Sequence, residues 1–79
     1  MNKAVRMDEL KAGQKATVIK LNTTGDMRRR FIDLGLIAGT DIVCVGKSPL
    51  GDPSAFLIRG AVIAIRSEDS ATVDTIIME

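Results

Sequence analysis

Glycine and proline divide this chain into short segments. Seven glycines and two prolines are spread through 79 residues, and the pieces between them are rich in valine, isoleucine and threonine. Glycine and proline interrupt both helices and strands, whereas β-branched residues favour strands. The sequence therefore predicts short strands joined by tight turns, in a single domain that spans residues 1–79.

Five segments have the alternation or the β-branched content of strands. They are residues 16–21, 40–45, 55–59, 61–66 and 73–78, with a tight hairpin around Gly60 and short helical turns at residues 7–13 and 67–71. Strands this short and this closely spaced predict a mainly β fold with short helices. We expect a small, strongly curved antiparallel sheet that forms a partly open barrel.

One longer helix is predicted between the first and second of these strands. Met27, Phe31 and Leu34 recur at positions i, i+4 and i+7, which places them on one apolar stripe of a helix. Thr23 is the expected N-cap, because a threonine hydroxyl can accept a hydrogen bond from a free amide of the first turn. Gly35 is the expected end, because it can adopt the positive φ that terminates many helices.

The apolar content is high for so small a domain, at 46% with only two aromatic residues. Several predicted strands carry apolar side chains on both faces; for example, Val43 and Val45 lie opposite Ile42 and Cys44. One barrel interior cannot bury both sets. We therefore expect a contiguous apolar patch on the outside of the sheet that serves partner binding or self-association.

The charge of the chain is nearly balanced, with eleven Lys and Arg against ten Asp and Glu. The absence of a basic surplus and the scarcity of aromatic residues argue against nucleic-acid binding. Arg28, Arg29 and Arg30 form the one concentrated charge, which could hold a phosphate or an acidic partner. Successive helical residues point about 100° apart, so the alternative is a solvated face. We expect Arg30 to pack along the core edge or to brace the following loop.

Side chains suited to catalysis or to transition metals are scarce. The chain has no histidine and one cysteine, Cys44, so neither a Cys/His zinc site nor a Ser-His-Asp relay can be built from it. We predict no enzyme activity, no cofactor and no metal ligand. The longest apolar run, residues 61–65, is far shorter than the roughly 20 residues that span a bilayer. We therefore expect a cytoplasmic protein with no direct membrane insertion.

The motif with the least conformational freedom is Pro49-Leu50-Gly51-Asp52-Pro53. Its two prolines fix φ, and the glycine and aspartate between them favour a turn. One interpretation is a rigid turn that only connects two strands. The other is a stiff loop that presents Leu50 to a partner, which would bind with little loss of conformational entropy.

Three motifs in order resemble the FeoA family, the small accessory proteins of bacterial ferrous iron transport. They are RRFIDLGLIAG at residues 29–39, PLGDP ten residues later at 49–53, and RGAVIAIR at 59–66. The similarity starts at Leu10 and continues to Ile76, so it covers nearly the whole chain. The resemblance implies an SH3-like barrel in the cytoplasm. It also implies action with the large membrane ferrous iron transporter and its cytoplasmic nucleotide-hydrolysing domain.

The resemblance and the scarcity of metal ligands together favour a non-enzymatic adaptor. We expect it to contact the transporter through the outer apolar patch and through a set of candidate partner-binding residues: Arg30, Leu50, Gly51, Asp52 and Pro53. Two alternatives stay open. One is a free-standing regulatory barrel like the C-terminal domain of iron-dependent repressors, and the other is a self-associating module that forms a homo-oligomer.

Overall fold

The computed structural model describes residues 3–78, in which six strands form one antiparallel sheet. The strands are β1 (Lys3–Arg6), β2 (Lys15–Leu21), β3 (Asp41–Lys47), β4 (Ser54–Ile58), β5 (Ala61–Ile65) and β6 (Val73–Ile77). The helices are α1 (Gly25–Asp33) and α2 (Ser67–Ser70), and a 3-10 turn covers Met7–Glu9. The order of the strands in the sheet is β1-β6-β2-β3-β4-β5.

The sheet is irregular and does not close. The register of β2 shifts between Val18 and Lys20, and that of β3 shifts between Cys44 and Gly46. Such bulges bend a strand and increase its local twist, which lets a small sheet curve around its core. Within residues 3–78 no ladder joins β1 to β5, so both strands remain edges. The predicted mainly β fold, a partly open antiparallel barrel, is confirmed.

All five predicted strands are present, with bounds that differ by at most two residues. The sheet also contains β1, which the sequence analysis missed. This strand has four residues, pairs only with β6, and buries only Val5 in part. An edge strand with one half-buried side chain has no apolar alternation by which the sequence could reveal it.

The core lies between the sheet, α1 and the 3-10 turn. Both phenylalanines are buried in it, Phe31 from α1 and Phe56 from β4. Burial of a phenylalanine side chain contributes about 1.5–3 kcal/mol, so these two residues join the helix firmly to the sheet. The buried apolar set is Met7, Leu10, Ala16, Val18, Phe31, Leu36, Ile42, Cys44, Phe56, Ile58, Ile65 and Val73.

The start of α1 differs from the prediction. The N-cap residue is Thr24, and neither its hydroxyl nor that of Thr23 caps the helix. Thr23 is instead buried, with its Oγ1 2.6 Å from the Oγ1 of Thr72. The predicted cap is therefore wrong, because the Thr23 hydroxyl forms a tertiary hydrogen bond that joins the segment before α1 to the segment before β6.

The end of α1 agrees with the prediction. Gly35 has a φ of +89°, and its amide donates to the carbonyl of Ile32 at 3.0 Å. The amide of Leu36 donates to the carbonyl of Phe31 at 2.9 Å. This pair of bonds is the Schellman motif, which satisfies carbonyls at a helix end and requires a positive φ at the glycine.

Candidate partner-binding surfaces

The outer face of β3, β4 and β5 is apolar. Val43 pairs with Leu57 and Leu57 pairs with Val62, so a row of apolar side chains crosses three strands. Val62 is 62% exposed, and Val45 on β3 is 51% exposed. We call Val43, Val45, Leu57 and Val62 the outer face. It is the apolar surface that the two-sided strand pattern predicted.

Residues 49–53 form a closed turn with Leu50 at its tip. The amide of Ser48 donates to the carbonyl of Pro53 at 3.0 Å, and the amide of Gly51 donates to the carbonyl of Ser48 at 2.8 Å. Leu50 is 95% exposed, more than any other large apolar residue between positions 3 and 78. The turn is internally bonded and its leucine points away from the core; a contact between Leu50 and a partner stays a prediction.

Asp52 connects this turn to α2. Its Oδ1 accepts a hydrogen bond of 2.8 Å from the backbone amide of Ser67, the first residue of α2. A carboxylate at this place satisfies an amide that has no partner within the helix. Asp52 therefore has a structural role in the turn. The sequence analysis missed this bond because the partners are 15 residues apart and no local pattern joins them.

The three successive arginines of α1 do not act together. Nη1 of Arg28 donates to the carbonyls of Leu21 and Thr23, at 2.8 and 3.2 Å, so Arg28 braces the segment that precedes the helix. The loop that follows the helix is braced by Arg59, whose Nε donates to the carbonyl of Gly35 at 3.4 Å. Arg59, and not Arg30 as one of the two expectations had it, therefore braces this loop.

Arg30 itself lies beside a groove of about 230 Å³ between α1 and β5. Its place next to Phe31 and Leu34 agrees with the expected packing along the core edge. We call this the α1–β5 groove; its lining residues are Met27, Arg30, Phe31, Leu34, Ile63, Ala64, Ile65, Arg66 and Asp69. Arg66 was missed by the sequence analysis, and the available signal was its position directly after an apolar strand.

Arg59 sits in the tight turn of the β4–β5 hairpin, where it forms a two-residue connection with Gly60. Both residues have positive φ, +48° and +83°, as a type I′ turn requires. A non-glycine residue in this conformation is uncommon. Its side chain reaches back to Gly35, so the hairpin that carries β5 is tied to the end of α1.

Cys44 is a free cysteine and is buried in β3. Burial raises the pKa of the Cys44 thiol and keeps it protonated. Among residues 3–78, no three His, Cys, Asp or Glu side chains are grouped closely enough to hold a metal ion. The helices in the same range include none with the length and apolar character needed to cross a bilayer.

Comparison with known proteins gives a family and a fold. The family model of the FeoA domain matches residues 5–74. A fusion protein of Fe(2+) transport protein A and Fe(2+) transporter FeoB from Porphyromonas gingivalis is 30% identical over 70 residues, 89% of this chain. The chain spans only 8% of the length of that protein.

Solved structures agree with this match. The FeoA protein from Chlorobium tepidum superimposes with a TM-score of 0.89 at 31% identity, over 95% of this chain and 71% of that one. The FeoA of Stenotrophomonas maltophilia, described as an SH3 domain protein and complexed with zinc, gives a TM-score of 0.77 at 23% identity, over 87% and 86% of the two chains.

A manganese-dependent transcriptional repressor also superimposes, with a TM-score of 0.84 at 14% identity, and this chain covers 44% of it. The zinc-bound FeoA and the repressor are each under 25% identical, so they establish the fold alone. The fold is thus SH3-like and is shared with this repressor. Because the family match extends over most of the sequence and a FeoA structure is more than 30% identical, this chain is a member of the FeoA family.

Proposed function

We propose that this protein is a non-enzymatic, cytoplasmic accessory protein of ferrous iron uptake that acts by direct contact with the large membrane iron transporter. The observation that carries this proposal is the fusion protein of Porphyromonas gingivalis, in which a relative of this chain and the transporter are one polypeptide. Fusion keeps two domains at a high effective concentration, which is useful when they act in contact.

The surface supports a role in contact more than a role in handling iron. The chain has no histidine, and its one cysteine is buried. The soft ligands that favour transition metals are therefore few. The outer face and Leu50, in contrast, expose apolar area that a partner would remove from water, at a gain of about 25 cal/mol per Å².

The turn at residues 49–53, which joins β3 to β4, is part of the proposed contact. Its internal hydrogen bonds and the bond from Asp52 to α2 hold it in place before binding. Leu50 can therefore be buried by a partner without a large cost in conformational entropy. Gly51 and Pro53 serve the same contact by shaping the turn, and Arg30 extends it toward the α1–β5 groove.

The proposal is tested by co-purification of the chain with the transporter in detergent. The intact chain is expected to bind, and Leu50→Asp is expected to weaken binding about tenfold because a charge would be placed in an apolar contact. Ile32→Asp is the matched control, since Ile32 is 45% exposed, belongs to α1 on the core side of the sheet, and does not line the α1–β5 groove.

Two results would count against this proposal. If the intact chain does not associate with the transporter, direct contact is wrong. If Leu50→Asp and Ile32→Asp both bind as well as the intact chain, the turn is not part of the contact, and the interface lies elsewhere on the domain.

A further inference from the structure

The strand β5 ends the sheet with an unpaired edge. It pairs with β4 on one side, and within residues 3–78 no strand pairs with its other side. Its sequence Ala-Val-Ile-Ala-Ile carries neither a charge nor a proline. Charged residues and prolines are the features by which proteins normally protect an edge strand from pairing with another chain. The edge of β5 is therefore open to the addition of a strand.

The register of the hairpin identifies the backbone groups that are free. The two-residue turn makes Ile58 and Ala61 a hydrogen-bonded pair, and such pairs alternate along an antiparallel ladder with pairs that are not hydrogen-bonded. The amides and carbonyls of Val62 and Ala64 consequently point away from β4. No backbone or side-chain hydrogen bond within the described residues reaches them.

The free edge borders the α1–β5 groove at Ala64, and Val62 lies two residues beyond it toward the hairpin turn. Ala64 lines the groove from the strand side, and Met27, Phe31 and Leu34 line it from the helix side. An extended segment in this groove could bond its backbone to Val62 and Ala64 and place an apolar side chain against the helix. Strand addition of this kind gives affinity through main-chain bonds and specificity through side-chain pockets.

The positive charge of the α1–β5 groove favours an acidic occupant. Arg30 and Arg66 line it together with a single carboxylate, Asp69. Within residues 3–78, neither guanidinium has a hydrogen-bonded or ion-paired partner in the structure. A carboxylate on the entering segment would complement them, because arginine binds carboxylates in a two-pronged geometry.

We infer that the α1–β5 groove binds an extended, acidic segment of the transporter, which adds to the sheet as a strand beside β5. The inference rests on the proposed function for the identity of the partner. A second copy of this chain fits less well. The β5 of a second copy carries no carboxylate that could complement Arg30 and Arg66.

The inference is tested with synthetic overlapping peptides that cover the cytoplasmic part of the transporter, titrated into the intact chain. We expect one acidic segment with an apolar residue to bind. Hydrogen exchange at the amides of Val62 and Ala64 should slow in the complex, because those amides become bonded to the peptide backbone. Packing of side chains alone would not protect them.

Two substitutions and one control variant separate the backbone contact from the charge contact. Ala64→Pro removes the edge amide that the peptide backbone would bond, so it should weaken peptide binding. Proline is tolerated at this position because the N–H of Ala64 does not take part in the ladder with β4. Arg30→Glu should weaken peptide binding about tenfold or more, the effect of losing a charge-assisted hydrogen bond. Arg29→Glu makes the same charge change outside the groove and should leave binding unchanged.

Several results would overturn the inference. They are binding without protection of Val62 and Ala64, equal losses in Arg30→Glu and Arg29→Glu, or protection that rises with protein concentration in the absence of peptide. The last result would assign the edge to a second copy. If no peptide binds while the whole transporter does, the groove is not the site and the proposed function stands. If neither binds, both fail.

Discussion

Replacement of Gly35 by alanine tests how the two walls of the α1–β5 groove are held together. Gly35 has a φ of +89°, and a Cβ atom added there would overlap Cδ of Arg59. Gly39 has a φ of +93°, but a Cβ added there would meet no atom within 4 Å. The two glycines therefore share the cost of a positive φ and differ only in the contact with Arg59.

The expected losses of stability follow from this difference. A non-glycine residue with positive φ costs about 1–2 kcal/mol, which is the whole effect expected for Gly39→Ala. Gly35→Ala should cost about 1 kcal/mol more, because the Arg59 side chain must move and its bond to the Gly35 carbonyl is lost. For a domain of this size, each 1 kcal/mol lowers the Tm by about 4–8 °C.

Urea denaturation is measured for Gly35→Ala, Gly39→Ala, Arg59→Ala and the double variant Gly35→Ala with Arg59→Ala. These measurements separate the cost of the positive φ from the cost of the overlap with Arg59. In the Arg59→Ala background the cost of Gly35→Ala should fall to that of Gly39→Ala, since the overlapping side chain is gone. If Gly35→Ala and Gly39→Ala cost the same in the intact chain, Arg59 does not pack on Gly35, and the tie between the hairpin and α1 is refuted.

Two further predictions follow from single contacts. Asp52→Ala should lower the free energy of unfolding by about 1 kcal/mol through loss of the bond to Ser67, as urea denaturation would register; an unchanged midpoint would mean that Asp52 does not anchor the turn. Because burial raises the pKa of the Cys44 thiol, the folded chain holds this proton to higher pH than the unfolded chain. Stability should therefore fall as pH rises through the range where the unfolded thiol ionises, and Cys44→Ala should remove that slope; the same slope in both proteins would contradict the assignment.

Much of the fold was readable from the sequence because its signals are local. The turn at Gly60, the helix end at Gly35 and the two-sided strands each depend on neighbouring residues, and the structure confirms all three. Leu50 was also found by local reasoning, because two prolines and a glycine leave its segment few conformations. Its role in binding stays a prediction.

The features that were missed depend on tertiary contacts. β1 is held by its pairing with β6 at the far end of the chain, and Thr23 is withdrawn from the helix cap by Thr72. Asp52 acts on a helix 15 residues away. Arg66 reaches the groove only because β5 lies beside α1, which no periodicity in the sequence encodes.

Direct binding to the iron transporter is the central claim, and a titration with the transporter in lipid nanodiscs tests it most directly. The chain would carry a fluorophore on its terminal amine, because Cys44 is buried and unsuited to labelling. We predict saturable binding that unlabelled chain competes away and that Leu50→Asp weakens about tenfold. The absence of saturable binding up to about 100 μM would contradict the account.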